Sequence, residues 1–438
     1  MSKAISIEQL ETLRAGFFSD GDNLLRMNAA MKMGVSDAAE SRAEDVENPM
    51  IFSVELTSGE VTDQKSSGRC WLFAGLNTMR YQIMRKLNLE TFELSQNHMM
   101  FYDKLEKANY FLESVLSTMD QPLDSPLMRH LLASPVQDGG QWDMFTALVE
   151  KYGCVPRAIM PETFHSANTS KMNELLTCKL REDALLLREA GTGASSLKES
   201  MVAEIYRMLS ICLGAPPTRF TFEYRDKDKQ FFRDEDLTPK AFYEKYVGQT
   251  LADYVPVINA PTQDKPYNQT YTVKYLGNVV GGRPIKYLNL PAKDLKALAI
   301  AQLEDEAPVW FGCDVGKMHQ RDRGIMGTHT FDYEALLGVR FGMDKAARLN
   351  SCESVLTHAM VFLGVNLTSD GRPNRWKVEN SWSKERGQDG YYVMTDAWFD
   401  EYTYQVVVNK KYLTPAQLDA FAQAPIALEP WDPFGSLA

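Results

Sequence analysis

Apolar residues recur at three- and four-residue spacing through the first half of the chain and gather into short apolar or alternating runs in the last third, so helices precede strands. Residues 5–34 carry the helical pattern with one break, where Ser19-Asp20-Gly21-Asp22 supplies turn chemistry and an N-cap. A second helical run opens at Cys70 (CWLFAGLNTMRYQIM), a third covers 95–118 with Ser95 as its cap, and others follow near 141–152 and 171–213. Between 216 and 290 the pattern changes. RDKDKQFFRDEDL is densely charged, and VPVINAP, QTYTVKYL and PIKYLNLP read as short strands broken by proline and glycine. After a helix at 292–304, PVWFGCDV, THAMVFLGVNL, RWKVENSW and GYYVMTDAWF read as strands separated by the turns SDGRP and GQDG. This order predicts an α+β fold rather than a doubly wound α/β one.

Composition narrows the function class. The 438 residues are 44% hydrophobic and 24% charged, which suits an ordinary globular chain with a sizeable core. A net charge of −11 disfavours non-specific attraction to nucleic acid or to anionic membranes. No run approaches the length of a membrane span, and the N-terminal residues lack the basic and apolar segments of a secretory peptide. The six cysteines form no CxxC pair, so thiolate metal binding is not expected and free thiols in a reducing cytoplasm are. Apart from Cys70, they fall in apolar or mixed runs and read as small buried hydrophobes.

A cysteine at a helix N-terminus faces the positive end of the helix dipole, which favours the thiolate and makes a nucleophile near neutral pH. Cys70 is so placed, and Gly68 before it leaves room for an acyl group. A thiolate needs an imidazole to carry its proton, and the imidazole needs an acceptor to orient it. His358 lies in the strand-like LTHAMVFLGV, and Asn380 lies 22 residues on, at the end of the next strand. Two strands joined by a turn can bring those side chains together, giving the Cys-His-Asn variant of the nucleophilic triad. The other five histidines have no partner at metal-ligand spacing, and no cofactor is called for.

QKSSGRCWLFA closely resembles the Gln-x-x-x-Gly-x-Cys-Trp-x-Phe-Ala element of papain-like cysteine peptidases, and ENSWS followed by GQDGYYVM resembles their Asn-Ser-Trp strand and its following hairpin. The resemblance implies that Gln64 is an oxyanion donor acting with the Cys70 backbone N–H, and that Trp382 shields the histidine–asparagine pair. It further implies that Gly139 and Gly140, in DGGQW, pair with an extended substrate backbone, while Tyr391 and Tyr392 pack the strand. In papain-like enzymes the histidine follows the cysteine by roughly 130 to 150 residues. His358 lies 288 beyond Cys70, so on the order of 140 residues are inserted.

That layout, with FGCDVGK at 311–317 and the terminal APIALEPWDPFGSLA, resembles the bleomycin hydrolase and bacterial aminopeptidase C group. The resemblance implies a papain-like fold with large insertions, a cytoplasmic homohexamer, and a C-terminal arm whose last residue, Ala438, meets the free α-amino group of a peptide substrate. Pro425, Pro430 and Pro433 restrict that arm. The division this suggests is a helical arm at 1–60, a helical half with the nucleophile at 61–215, an inserted subdomain at 216–290, a β-rich half with His358 and Asn380 at 291–415, and the arm at 416–438. The expected activity is removal of N-terminal residues from peptides. The alternatives are an endopeptidase with an unblocked cleft and a channel that binds single-stranded nucleic acid, the latter opposed by the net charge.

Overall fold

The helix Cys70–Lys86 is the centre of the molecule, because nearly every side chain of its first three turns is buried. Trp71, Leu72, Phe73, Leu76 and Met79 leave no solvated face, so the helix can only exist inside a core. It packs against the strand His358–Leu367 on one side and the helices Gln96–Leu116 and Trp142–Tyr152 on the other. The computed structural model describes residues 4–190, 194–248 and 250–437.

Among the described residues, twelve strands form one mainly antiparallel sheet. At its middle, Val309–Cys313, His358–Leu367 and Pro373–Glu379 lie side by side, with His358 opposite Cys313 and Val361 opposite Glu379. This register puts His358 at the start of one strand and Asn380 just past the end of its neighbour, at the same sheet end. Helices first and sheet last make the α+β fold that the pattern predicts.

Within 216–290, the strands Tyr254–Ile258, Gln269–Val273 and Tyr287–Asn289 extend the large sheet, while Phe220–Arg225 and Phe231–Leu237 form a separate hairpin. The charged run hid that hairpin. Its signal is a period of two: Phe222 points inward onto Phe92, Phe242 and Tyr246, while charged residues alternate outward. The N-terminal pattern resolves into the helices Ile7–Ser19 and Gly21–Met33, separated at Asp20, whose carboxylate caps the second. Among the described residues, no helix is long and apolar enough to cross a membrane.

One expectation about the thiols fails. Cys154 and Cys313 are buried, but Cys178 and Cys352 are exposed and Cys212 is half-buried. Cys178 lies on the solvent side of the amphipathic helix Ser170–Ala190, and Cys352 sits in a turn at φ 57° just beyond the helix Lys345–Asn350. All six cysteines are unbridged.

Candidate active site

Arg69 precedes the helix without a side-chain cap, and the first turn carries no acid, so the nearest anion acting against a thiolate at Cys70 is the Asp138 carboxylate. Arg69 instead anchors the loop, donating from both terminal nitrogens to Glu162 (3.0 and 2.7 Å) and from Nε to Ser67 Oγ (2.9 Å). Burial pushes the Cys70 thiol up to about 12, against the opposing effect of backbone groups of Ala359, Trp71 and Cys70 itself. Ala359 follows His358, so the sulfur lies against the histidine's own strand.

His358 Nε2 donates to Asn380 Oδ1 at 2.9 Å, which leaves Nδ1 as the basic nitrogen. Asn380 Oδ1 also accepts from the Ser381 backbone N–H at 2.8 Å, so the acceptor is itself held. Burial brings His358 down to about 4 despite the Asn380 hydrogen bond, and the positive charge of Arg321 acts in the same direction. A lone charge on either the sulfur or the ring is therefore disfavoured. The half-buried Trp382 covers the pair, with its ring 4.9 Å from that of His358. His319, buried and bonded to the Val315 carbonyl, stacks on the same tryptophan at 5.8 Å.

Gln64 is clamped at both ends of its amide. Its Oε1 accepts from Ser381 Oγ at 2.6 Å, and Nε2 donates to the Ser67 carbonyl at 2.6 Å, leaving the second N–H of Nε2 for a ligand. Its backbone N–H also donates to the Ser381 carbonyl at 2.9 Å, tying the loop before Cys70 to the strand end that carries Asn380.

Asp138 joins the same loop to the glycine pair. Its carboxylate accepts from Gly68 N (3.0 Å), Thr169 Oγ1 (2.5 Å), Lys104 Nζ (2.6 Å) and Asn173 Nδ2 (2.8 Å), and its carbonyl accepts from Trp71 Nε1 (2.7 Å). Burial opposes the charge, but Lys104 and these donors hold the carboxyl well below its ordinary range. Gly140 lies so close against the Trp71 ring that a Cβ has no room, while Gly139 is half-exposed beside it. The next residue, Gln141, donates from Nε2 to the Ser436 carbonyl at 2.7 Å.

The C-terminal arm is thus a positioned element. Ile426–Leu428 pairs with Gln269–Val273, Asp432 meets Lys265 at 2.9 Å, and Phe434 is buried. Ser436 Oγ donates to the carbonyl of Leu356, two residues before His358, at 2.7 Å. Ala438 lies outside the described residues. The structure therefore brings Cys70, His358, Asn380 and Gln64 into one cluster, with Gly139, Gly140 and the arm on one flank. Sequence reasoning missed Ser381, Asp138 and Gln141 as the residues that hold this cluster. Each stands beside a recognised motif residue, and that adjacency is the only signal the sequence offers.

Residues 4–435 match the family model described as Peptidase C1-like family. The chain is 50% identical to Aminopeptidase C of Listeria monocytogenes and 48% identical to that of Streptococcus thermophilus, covering 99% or more of each pair of chains. It is 40% identical to human bleomycin hydrolase over 100% of this chain and 99% of that one. The crystal structure of pepw from Lactobacillus rhamnosis superposes with a TM-score of 0.98 at 48% identity, over 100% of both chains.

Proposed function

The chain belongs to the Peptidase C1-like family, and we propose that its reaction runs through Cys70 as nucleophile, His358 as proton carrier, Asn380 as the anchor of the ring and Gln64 as oxyanion donor. It is a cysteine-type aminopeptidase. The observation that carries the assignment is the 2.9 Å bond from His358 Nε2 to Asn380 Oδ1, which turns Nδ1 into the free base beside the strand against which the Cys70 sulfur lies.

Cys70 Sγ gives its proton to His358 Nδ1 and bonds to the scissile carbonyl carbon, while the carbonyl π pair moves to oxygen. That oxyanion meets the Cys70 backbone N–H and the free N–H of Gln64 Nε2. As the C–N bond breaks, Nδ1–H passes to the departing amine. Water then loses a proton to Nδ1 and attacks the thioester, releasing the acid and restoring the thiol.

Exopeptidase action follows from the arm. The anchoring of Ser436 by Gln141 and Leu356 supports a cleft that ends one residue or so beyond Cys70 on the Gly139–Gly140 side. There the Ala438 carboxylate would favour a protonated α-amine and exclude longer segments. The test is turnover of an amino-acid arylamide against its N-acylated twin, in the full chain and in one lacking Ala438. Preference for the free amine that weakens on deletion supports the reading; equal cleavage of both by the full chain means an endopeptidase cleft.

The assembly is a cytoplasmic homohexamer in this reading. The helices Ile7–Ser19 and Gly21–Met33 bury none of their own residues, and they expose Ile7, Leu10, Leu13, Leu25 and Met31. Such a surface calls for cover by a second copy. The number six rests on the resemblance, and unbridged cysteines suit a reducing compartment. Sedimentation at the mass of one chain would remove the assembly.

A further inference from the structure

The arm is held beside Gln141, and the leaving part of the substrate must lie near His358, whose ring meets that of Trp382 at 4.9 Å. The guanidinium of Arg321 stands above the Trp382 ring, 4.9 Å from its centroid. Arg321 is exposed, in the short segment between the strands His319–Gln320 and Ile325–Met326.

Its charged neighbours are all spoken for. Asp322 pairs with Arg386, and Arg323 pairs with Asp45 and Glu40. Arg321 has no carboxylate partner among the described residues, in a chain whose net charge is −11. An arginine that meets an aromatic ring and no carboxylate keeps N–H donors free, and these can take a carboxylate in two parallel hydrogen bonds. Its charge acts on His358, His319 and Tyr392, as its position over the Trp382 ring requires.

Distance sets the kind of substrate. Arg321 to the Trp382 ring and that ring to His358 are each 4.9 Å, so the guanidinium lies within about three residues of extended chain, at about 3.5 Å per residue, of the ring that protonates the leaving amine. We infer that Arg321 is a specificity residue that binds a carboxylate on the leaving side of the substrate, so that the enzyme favours dipeptides and tripeptides through their own C-terminal carboxylate. This rests on Cys70 and His358 being the reacting pair.

The test compares kcat/KM for a dipeptide acid, its C-terminal amide, and an amidated dipeptide whose second residue is glutamate, in the wild type, Arg321→Gln and Arg321→Lys. The wild type should favour the acid over the amide by roughly three- to tenfold, mainly through KM, and less so at high salt. Arg321→Gln should bring that ratio close to one, and Arg321→Lys should restore part of it. Preference for the glutamate amide equal to that for the acid would assign the site to acidic side chains and overturn the short-peptide reading. An acid-to-amide ratio unchanged by Arg321→Gln would overturn the role of Arg321 altogether. Failure of the underlying pair looks different: arylamide hydrolysis would then survive Cys70→Ala.

Discussion

Arg80, two turns and more into the nucleophile's helix, donates to Glu379, the residue immediately before Asn380, in an ion pair whose side chains are 3% and 1% exposed. Asn77, from the same helix, donates to the same carboxylate oxygen at 3.1 Å. The helical and β-rich sides of the active site are therefore tied at one buried point, a single residue from the anchor of the histidine.

Breaking that tie should be costly, because the survivor is a buried charge with no partner. Glu379→Ala is expected to lower stability by roughly 3–5 kcal/mol. Replacing both Arg80 and Glu379 by methionine should recover most of the loss. Denaturant unfolding of the wild type and the two variants gives the answer, and a Glu379→Ala cost below about 1 kcal/mol would mean that solvent reaches the pair.

Gln64 and Ser381 separate donation from orientation. Gln64→Ala removes the proposed oxyanion donor and should lower kcat by roughly 10²–10³ with little change in KM. Ser381→Ala keeps the donor but frees the amide to rotate, since the 2.6 Å bond to Gln64 Oε1 is lost. A smaller fall in kcat is expected there. A wild-type kcat in Gln64→Ala would take the residue out of the mechanism.

In the proposed mechanism Asn380 orients the ring and does not react. Asn380→Ala should retain activity above that of His358→Ala, which forfeits the roughly 10²–10⁴-fold of general acid–base catalysis outright. Alkylation of Cys70 by iodoacetamide should slow in both variants, more so without the imidazole. Equal residual turnover in the two would show that the ring cannot find Cys70 without its anchor.

Much of this site was legible because its chemistry is local in sequence. The helix opening at Cys70 and the strands that deliver His358 and Asn380 each carry their own periodicity, and their adjacency follows from a short turn. What could not be read is held by pairings far apart in the chain. Asp138 joins Gly68 across 70 residues, and Gln141 reaches Ser436 across 295, with no pattern in either segment to announce the contact. The 220–237 hairpin was hidden for another reason: its outward residues are so densely charged that they mask an inward aromatic alternation. Arg321 carries no sequence signal at all, since its meaning depends on the ring beneath it.

Asp143, two residues beyond the Gln141 that holds the arm, supplies a prediction about pH. Its carboxylate is buried at the start of the helix Trp142–Tyr152 and accepts from the Lys286 backbone N–H at 3.0 Å. Burial pushes the carboxyl up to about 7, against that N–H and the charge of Arg283. The unfolded value is about 3.9, so between pH 4 and 7 the folded chain holds a proton that the unfolded chain has lost. Folding stability from this group therefore falls as pH rises through that window and levels off above it. An asparagine side chain at this position imitates the protonated acid and still accepts from Lys286, so Asp143→Asn should melt close to the wild type at pH 4 and above it at pH 8. The gap should correspond to about 4 kcal/mol, from roughly three pKa units worth about 1.4 each. Melting curves at several pH values decide the point, and a gap that stays constant from pH 4 to 8 would mean that Asp143 is ionised throughout.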